Sequence, residues 1–163
     1  MNGKIQFQVI KPLSNLQAKI PTTGGLSEEE SLAAAEKALN DIKENFEVAL
    51  REDILKIRDA ISKAINTPSV IEDAISEING ISHDIKGMAA TFDYHLLTHI
   101  AQSLCRFILS SKPVTQTRLT VIKAHAKAME TVVSHSLKGE GGEVGQEMLD
   151  ILDAAVEKAR VQI

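Results

Sequence analysis

From Ser27 onward, apolar residues recur at intervals of three and four, and each long break in that rhythm falls on a Pro or a cluster of Gly. That spacing places one apolar stripe along each of a series of helices and leaves no period-two run long enough for a sheet. Ser27 followed by Glu30 forms a capping box, with Glu28 and Glu29 suited to the first helical turn. Leu32, Ala35, Leu39, Ile42, Phe46, Ala49, Ile54, Ile57, Ile61 and Ala64 then extend a core-lining stripe, interrupted by Arg51-Glu52-Asp53, over residues 27–66 as one long helix or two nearly in line. Thr67-Pro68 ends it, because the residue before Pro avoids helical geometry. Further helices are predicted over 69–91, over 93–110 up to Lys112-Pro113, and over 114–137, where Leu119, Ile122, Met129 and Val133 share a face. After Gly139-Glu140-Gly141-Gly142, a last helix carries Val144, Met148, Leu152, Ala155 and Ala159. Short links between long helices make neighbours antiparallel. The expected fold is all-α, an up-and-down antiparallel four-helix bundle with an additional, long N-terminal helix over residues 27–163.

Residues 1–26 stand apart. Ile5, Phe7 and Val9 alternate with polar residues before Pro12, Pro21 and Gly24-Gly25, the pattern of an extended arm or short strand. Of the 163 residues 44% are apolar but only 3% aromatic, so the core is built of Leu, Ile, Val, Ala and Met. A net charge of −4 argues against a nucleic-acid partner. Cys105 is the sole cysteine, which excludes an intrachain disulfide and a cysteine metal cluster. The N-terminus lacks the apolar core of a signal peptide, and no run has the length of a membrane span. The expected location is cytoplasmic.

The segment Ile71–Phe92 carries the chemistry. At about 100° per residue, Ile71, Ala74, Ile75, Ile78, Ile81, Ile85, Met88, Ala89 and Phe92 fall in one buried arc, and His83 lies opposite it. Ser76, Asn79, Gly80, Gly87 and Ala90 surround His83, all small or polar. Lys86, three residues on, reaches the space above the imidazole. A glycine inside a helix costs roughly 1 kcal/mol against Ala. Gly80 and Gly87 lie on the wet side, where the core has no need of them, so close approach by a partner explains them best. Asn79, Gly80 and Ala90 are the expected partner-binding positions. An exposed imidazole keeps a substantial neutral, nucleophilic fraction near neutral pH. Phosphoryl transfer to His83, with Lys86 neutralising phosphoryl oxygens, fits this set.

Other candidates have plainer readings. His135-Ser136-Leu137-Lys138-Gly139 repeats the His-x-x-Lys-Gly string, but Gly139 reads as a helix C-cap, with His135 and Lys138 suited to the negative helix end. His95 and His99 are two potential metal ligands without the further ligands a site requires. His125 carries no signal, Cys105 reads as a small semi-buried residue, and Lys123 and Lys127 read as a solvated face. Gly-rich nucleotide-binding motifs are missing from the sequence. The chain is therefore expected to be a carrier without kinase activity.

ISHDIKGMAATF followed by DYHLLTHIAQSL resembles the histidine phosphotransfer (HPt) family, best over residues 70–107. The resemblance implies a four-helix bundle whose mid-helix histidine exchanges a phosphoryl group with receiver-domain aspartates. On this sequence it implies His83 as the phosphorylated residue, Lys86 as the cation and Gly87 as the clearance position. The implied partners are response-regulator receiver domains and a hybrid histidine kinase. No cofactor is expected on this chain, and Mg²⁺ is expected on the receiver. A monomer is expected. Two positions depart from the family's habit. Asp93 stands where Gly is common, though Asp tolerates left-handed geometry and can cap the next helix. Leu104-Cys105 stands where Glu is frequent, which bears on partner choice. Two alternatives remain: an unphosphorylated adaptor or inhibitor that binds a receiver or kinase, and a structural bundle that oligomerises through its first helix.

Overall fold

In the computed structural model, which describes residues 25–110 and 115–161, the Ser27–Glu30 capping box starts helix α1 (Glu28–Asn66) as the sequence predicts. The Ser27 amide donates to Glu30 Oε2 at 2.8 Å, and the Glu30 amide donates to Ser27 Oγ at 3.1 Å. The Ser27 bonds also hold the Glu30 carboxyl below its ordinary range. The chain divides into two compact units, Met1–Asn40 and Asp41–Ile163. The extended arm expected over residues 1–26 lies outside the described residues, apart from exposed Gly25 and Leu26.

The expectation of one core-lining stripe along all of residues 27–66 needs correction. In the first unit Leu32, Ala35 and Leu39 are exposed, and in the second Ile42 is exposed and burial begins at Leu50. Periodicity marks an apolar face but not whether anything packs against it.

The second unit is an up-and-down bundle. Thr67-Pro68 breaks the chain into a single 3-10 turn, Pro68–Val70, before α2 (Ile71–Met88). A second 3-10 turn, Ala89–Phe92, ends at Asp93, which takes φ 63° as its left-handed tolerance allows. There the Tyr94 amide donates to Ala89 O and the Asp93 amide to Ala90 O, reversing the chain into α3 (His95–Ser110). The expected capping of α3 by the Asp93 side chain is replaced by a loop carbonyl: the Leu96 amide donates to Gly139 O at 2.9 Å. α4 (Gln116–Ser134) is capped by Thr115, whose hydroxyl accepts from the Arg118 amide. α5 (Gly142–Val161) closes the chain. Among the described residues there is no strand, and no helix is long and apolar enough to cross a membrane. The most extensive helix pairing is α2 with α3, and one core cluster draws on all five helices.

Two buried polar residues in α4 were not legible as such. Arg118 is 1% exposed; its guanidinium donates to the Phe107 and Ile108 carbonyls and lies over the Phe107 ring, capping the C-terminal end of α3. His125 is fully buried, its Nδ1–H donating to Val121 O at 2.9 Å and its Nε2 accepting from the Ser103 hydroxyl at 3.2 Å. Burial holds its pKa below the ordinary 6.5, against smaller opposing effects of the Val121 bond and Asp153.

The end of α4 also differs from expectation. The helix stops at Ser134, and Ser136, at φ 49°, is the left-handed residue that closes it. The Leu137 amide donates to Val132 O and the Ser136 amide to Val133 O, the paired bonds of a Schellman motif. Gly139 is therefore a loop residue. Its N–H donates to Asp93 O at 2.7 Å and ties the two turns together.

Replacing Ser136 by Gly removes the left-handed penalty and is expected to stabilise the fold by about 1 kcal/mol. An unchanged urea midpoint would show that residue 136 does not hold that conformation. His125 makes stability depend on pH. Its folded pKa lies below the unfolded one, so its contribution is full above the unfolded value and is lost as pH falls towards the folded value. His125→Gln is expected to flatten the loss of stability on acidification below neutral pH, and an equally steep loss in the variant would acquit His125.

Candidate functional site

α2 buries Ala74, Ile75, Ile78, Ser82 and Ile85, and this fixes its rotation about its own axis. Ser82 is a polar residue on that inner face, fully buried, its hydroxyl donating to Ile78 O at 2.7 Å. The inner arc is narrower at its C-terminal end than the sequence suggests, because Met88 is 52% exposed. With the inner face so placed, His83 stands on the outer face and is exposed.

Lys86 is half-buried and its Nζ lies 3.4 Å from His83 Nδ1, a long contact in which the ammonium is the donor. That leaves Nε2, at the ring tip, with no polar contact among the described residues. Gly80 and Gly87 bracket the imidazole one turn on either side; both are exposed, and a Cβ at either would meet no atom within 4 Å. Ala90 is exposed as well. The structure thus brings His83, Lys86, Gly80, Gly87 and Ala90 onto one open strip.

Asn79 is placed differently from its neighbours. It is half-buried, and its Oδ1 is enclosed without a hydrogen-bond partner among the described residues. Its backbone carbonyl receives a weak contact from Cys105 Sγ at 3.9 Å on α3. Burial pushes the Cys105 thiol up, opposed in part by the Lys86 charge, so it is a packing group rather than a reactive one. The position of Cys105 between Leu104 and Phe107 on the inner face of α3 was the available signal for this.

The second His-x-x-Lys-Gly string has different geometry. His135 Nδ1–H donates back to Thr131 O at 3.0 Å. Lys138 Nζ donates to Glu47 Oε1 at 2.8 Å and lies 3.3 Å from the centre of the Tyr94 ring. The Tyr94 hydroxyl donates to the same carboxylate oxygen at 2.9 Å, and Phe46 stacks on Phe92 at 3.9 Å beside it. The Lys138 bond is the largest of the effects that hold the Glu47 carboxyl below its ordinary range. Burial alone would lower the Lys138 ammonium, but the bonds to Glu47 and Tyr94 outweigh it and raise its pKa. This lysine is a structural tie.

The remaining candidates stay apart from the strip. His95 and His99 are exposed beside Asp93 (3.6 Å) and Glu140 (3.2 Å) respectively. Lys127 pairs with Glu130 at 2.8 Å. Among the described residues no group of three or more His, Cys, Asp or Glu side chains is arranged to hold a metal ion.

Fold and site together define an all-α bundle that presents a bare histidine on the outer face of a core helix. A family model for the Hpt domain matches residues 41–132, more than half of the chain. The chain belongs to the Hpt domain family, whose members work with response-regulator receivers in phosphorelays. The match runs from the second unit's share of α1 through nearly all of α4. No curated protein and no solved structure shows significant similarity to the chain.

Open space at Gly87 makes a direct prediction. Gly87→Ala is expected to raise the unfolding free energy by about 1 kcal/mol, the helix-propensity difference, with no clash to offset it. A lower denaturant midpoint would show that a Cβ is not accommodated there.

Proposed function

We propose that this chain is a histidine phosphocarrier in which His83 accepts a phosphoryl group from a receiver-domain aspartyl phosphate and passes it to another receiver aspartate. The observation that supports this reading best is the exposed ring of His83, with the Lys86 ammonium at Nδ1 and open backbone at Gly80 and Gly87 on either side.

In the proposed step the Nε2 lone pair attacks phosphorus. The N–P bond forms as the bond from phosphorus to the aspartyl oxygen breaks, and the aspartate leaves as a carboxylate. The reverse step returns the group. Nε2 is nucleophilic only in the tautomer that carries its proton on Nδ1. In that tautomer Nδ1–H and the Lys86 ammonium are both donors, and their contact is lost. Lys86 is then free to turn towards the incoming phosphoryl oxygens, where its charge is of use. The open positions at Gly80, Gly87 and Ala90 let the receiver's acidic centre reach the ring. Mg²⁺ belongs to the receiver in this scheme. A hybrid histidine kinase is the fitting upstream source, since the sequence carries no Gly-rich nucleotide motif, and the setting of the relay is the cytoplasm.

The test is phosphotransfer from labelled receiver domains. Wild type is expected to take up an acid-labile, base-stable label, and His83→Gln none. Lys86→Ala is expected to slow transfer about tenfold, equivalent to one charge-assisted hydrogen bond of about 1.4 kcal/mol. Gly87→Leu should fold yet transfer poorly. Label on His83→Gln would remove His83 from the mechanism. Tight receiver binding without label on wild type would make the chain an adaptor.

A further inference from the structure

Two surfaces contain none of the residues of the His83 strip. The first is a ridge on the early part of α1. Leu32, Leu39 and Ile42 lie on one helical face and are 61%, 66% and 54% exposed. The ridge is acidic: residues 28–42 hold Glu28, Glu29, Glu30, Glu36 and Asp41 against a single Lys37. A helix of this kind is marginal in water without something to cover its apolar face.

The second surface is a groove of about 310 Å³ within the second unit, between the later part of α1 and α4. Its floor includes Ile54 and Val133, and Leu55 and Ile65 on its wall remain 47% and 43% exposed. Arg51, Arg58, Lys123 and Lys127 line it, and Glu130, the one acid there, is already held by Lys127 at 2.8 Å. The groove is therefore apolar below and basic at its edges. The ridge is apolar at its crest and acidic at its flanks. Each carries the charge the other lacks.

We infer that the chain forms a reciprocal dimer, the acidic ridge of each copy lying in the basic-edged groove of the other. One ridge and one groove per copy satisfy both contacts under a two-fold axis, which closes the assembly and stops further growth. No α2 residue lines the groove. The dimer replaces the sequence-based expectation of a monomer and does not depend on the phosphocarrier reading.

The test is the mass of the full chain in solution, by sedimentation across a broad range of concentrations, with charge-swapped variants. Wild type is expected to move from the monomer mass to twice that mass, and to return towards monomer as salt is raised. Arg58→Glu with Lys123→Glu on the groove, and Glu36→Lys with Asp41→Lys on the ridge, change exposed side chains only. Each variant alone is expected to be monomeric. An equimolar mixture is expected to regain the dimer, because both contacts of the heterodimer are again of opposite sign. Should either charge variant misfold, Leu39→Lys, at an exposed position, gives a second break of the ridge. A wild type that is monomeric throughout overturns the inference, whether the groove is empty, filled by residues of the same chain or reserved for another acidic protein. Variants that still dimerise, or a mixture that stays monomeric, overturn it equally. Receiver phosphotransfer by the variants is expected to stay at the wild-type rate, so failure of the dimer and failure of the carrier reading give different results.

Discussion

The rotation of α2 about its axis is the constraint from which the site follows. Ile75, Ile78 and Ile85 are each at most 7% exposed, and burying such a side chain is worth roughly 1.5–3 kcal/mol. A turn of about 100°, one residue's worth, would carry isoleucines into water and bring His83 against the core. Ser82 is the polar residue of α2 that this setting buries fully, and its bond to Ile78 O at 2.7 Å removes most of the cost. The histidine is exposed because its neighbours are buried. No interaction of the imidazole itself is required to hold it out, which leaves the ring free to react.

The two lysines of the repeated string show why context outweighs the string. Lys86 and Lys138 are both half-buried, and both follow a histidine by three residues. Lys138 is fixed by a carboxylate, a tyrosine hydroxyl bonded to that same carboxylate, and a ring face, and it links α1 to the loop before α5. A cation so held has nothing left for a transient ligand. Among the described residues the one hydrogen-bonding contact of the Lys86 ammonium is to His83, at a distance where the bond is weak. In the proposed transfer it would exchange that contact for a phosphoryl oxygen at little cost. The backbone enforces the difference: residues 83–87 lie within α2, whereas α4 has ended by Ser134 and the chain turns at Ser136.

Much of this was legible from the residues, for physical reasons that can be named. The Ser27–Glu30 box, the Thr67-Pro68 break and the left-handed Asp93 are local, so local chemistry determines them. The outward face of His83 followed from periodicity, because a helix buried along one stripe has only one rotation to adopt. Most of what failed depended on more than the local pattern. The stripe through Leu32 and Leu39 promised burial, yet both residues are exposed. Gly139 looked like a helix cap, but a non-glycine residue three positions earlier took the left-handed turn. Arg118 and His125 sit on the apolar side of α4, in step with Leu119, Ile122 and Met129, and that phase was the signal for their burial. Polar identity masked it, because the bonds that make their burial tolerable run to α3 as well as along α4.

A site of this shape also determines which work falls to its partner. His83 stands on a convex helix face, with open space at the glycines on either side. Such a face cannot exclude water or enclose a phosphoryl group, and it offers one cation where a transferring phosphoryl group carries charge on three oxygens. In the proposed transfer, enclosure, in-line alignment and the remaining neutralisation would therefore come from the docked receiver. The chain would supply a nucleophile, an ammonium and room to approach. Convexity suits a carrier that serves more than one receiver, because a pocket shaped to one acidic centre would have to be released before the next could enter. The two glycines fit the same logic. Each gives up about 1 kcal/mol of helix stability, and what they leave is the open space beside His83 that the proposed receiver contact would use.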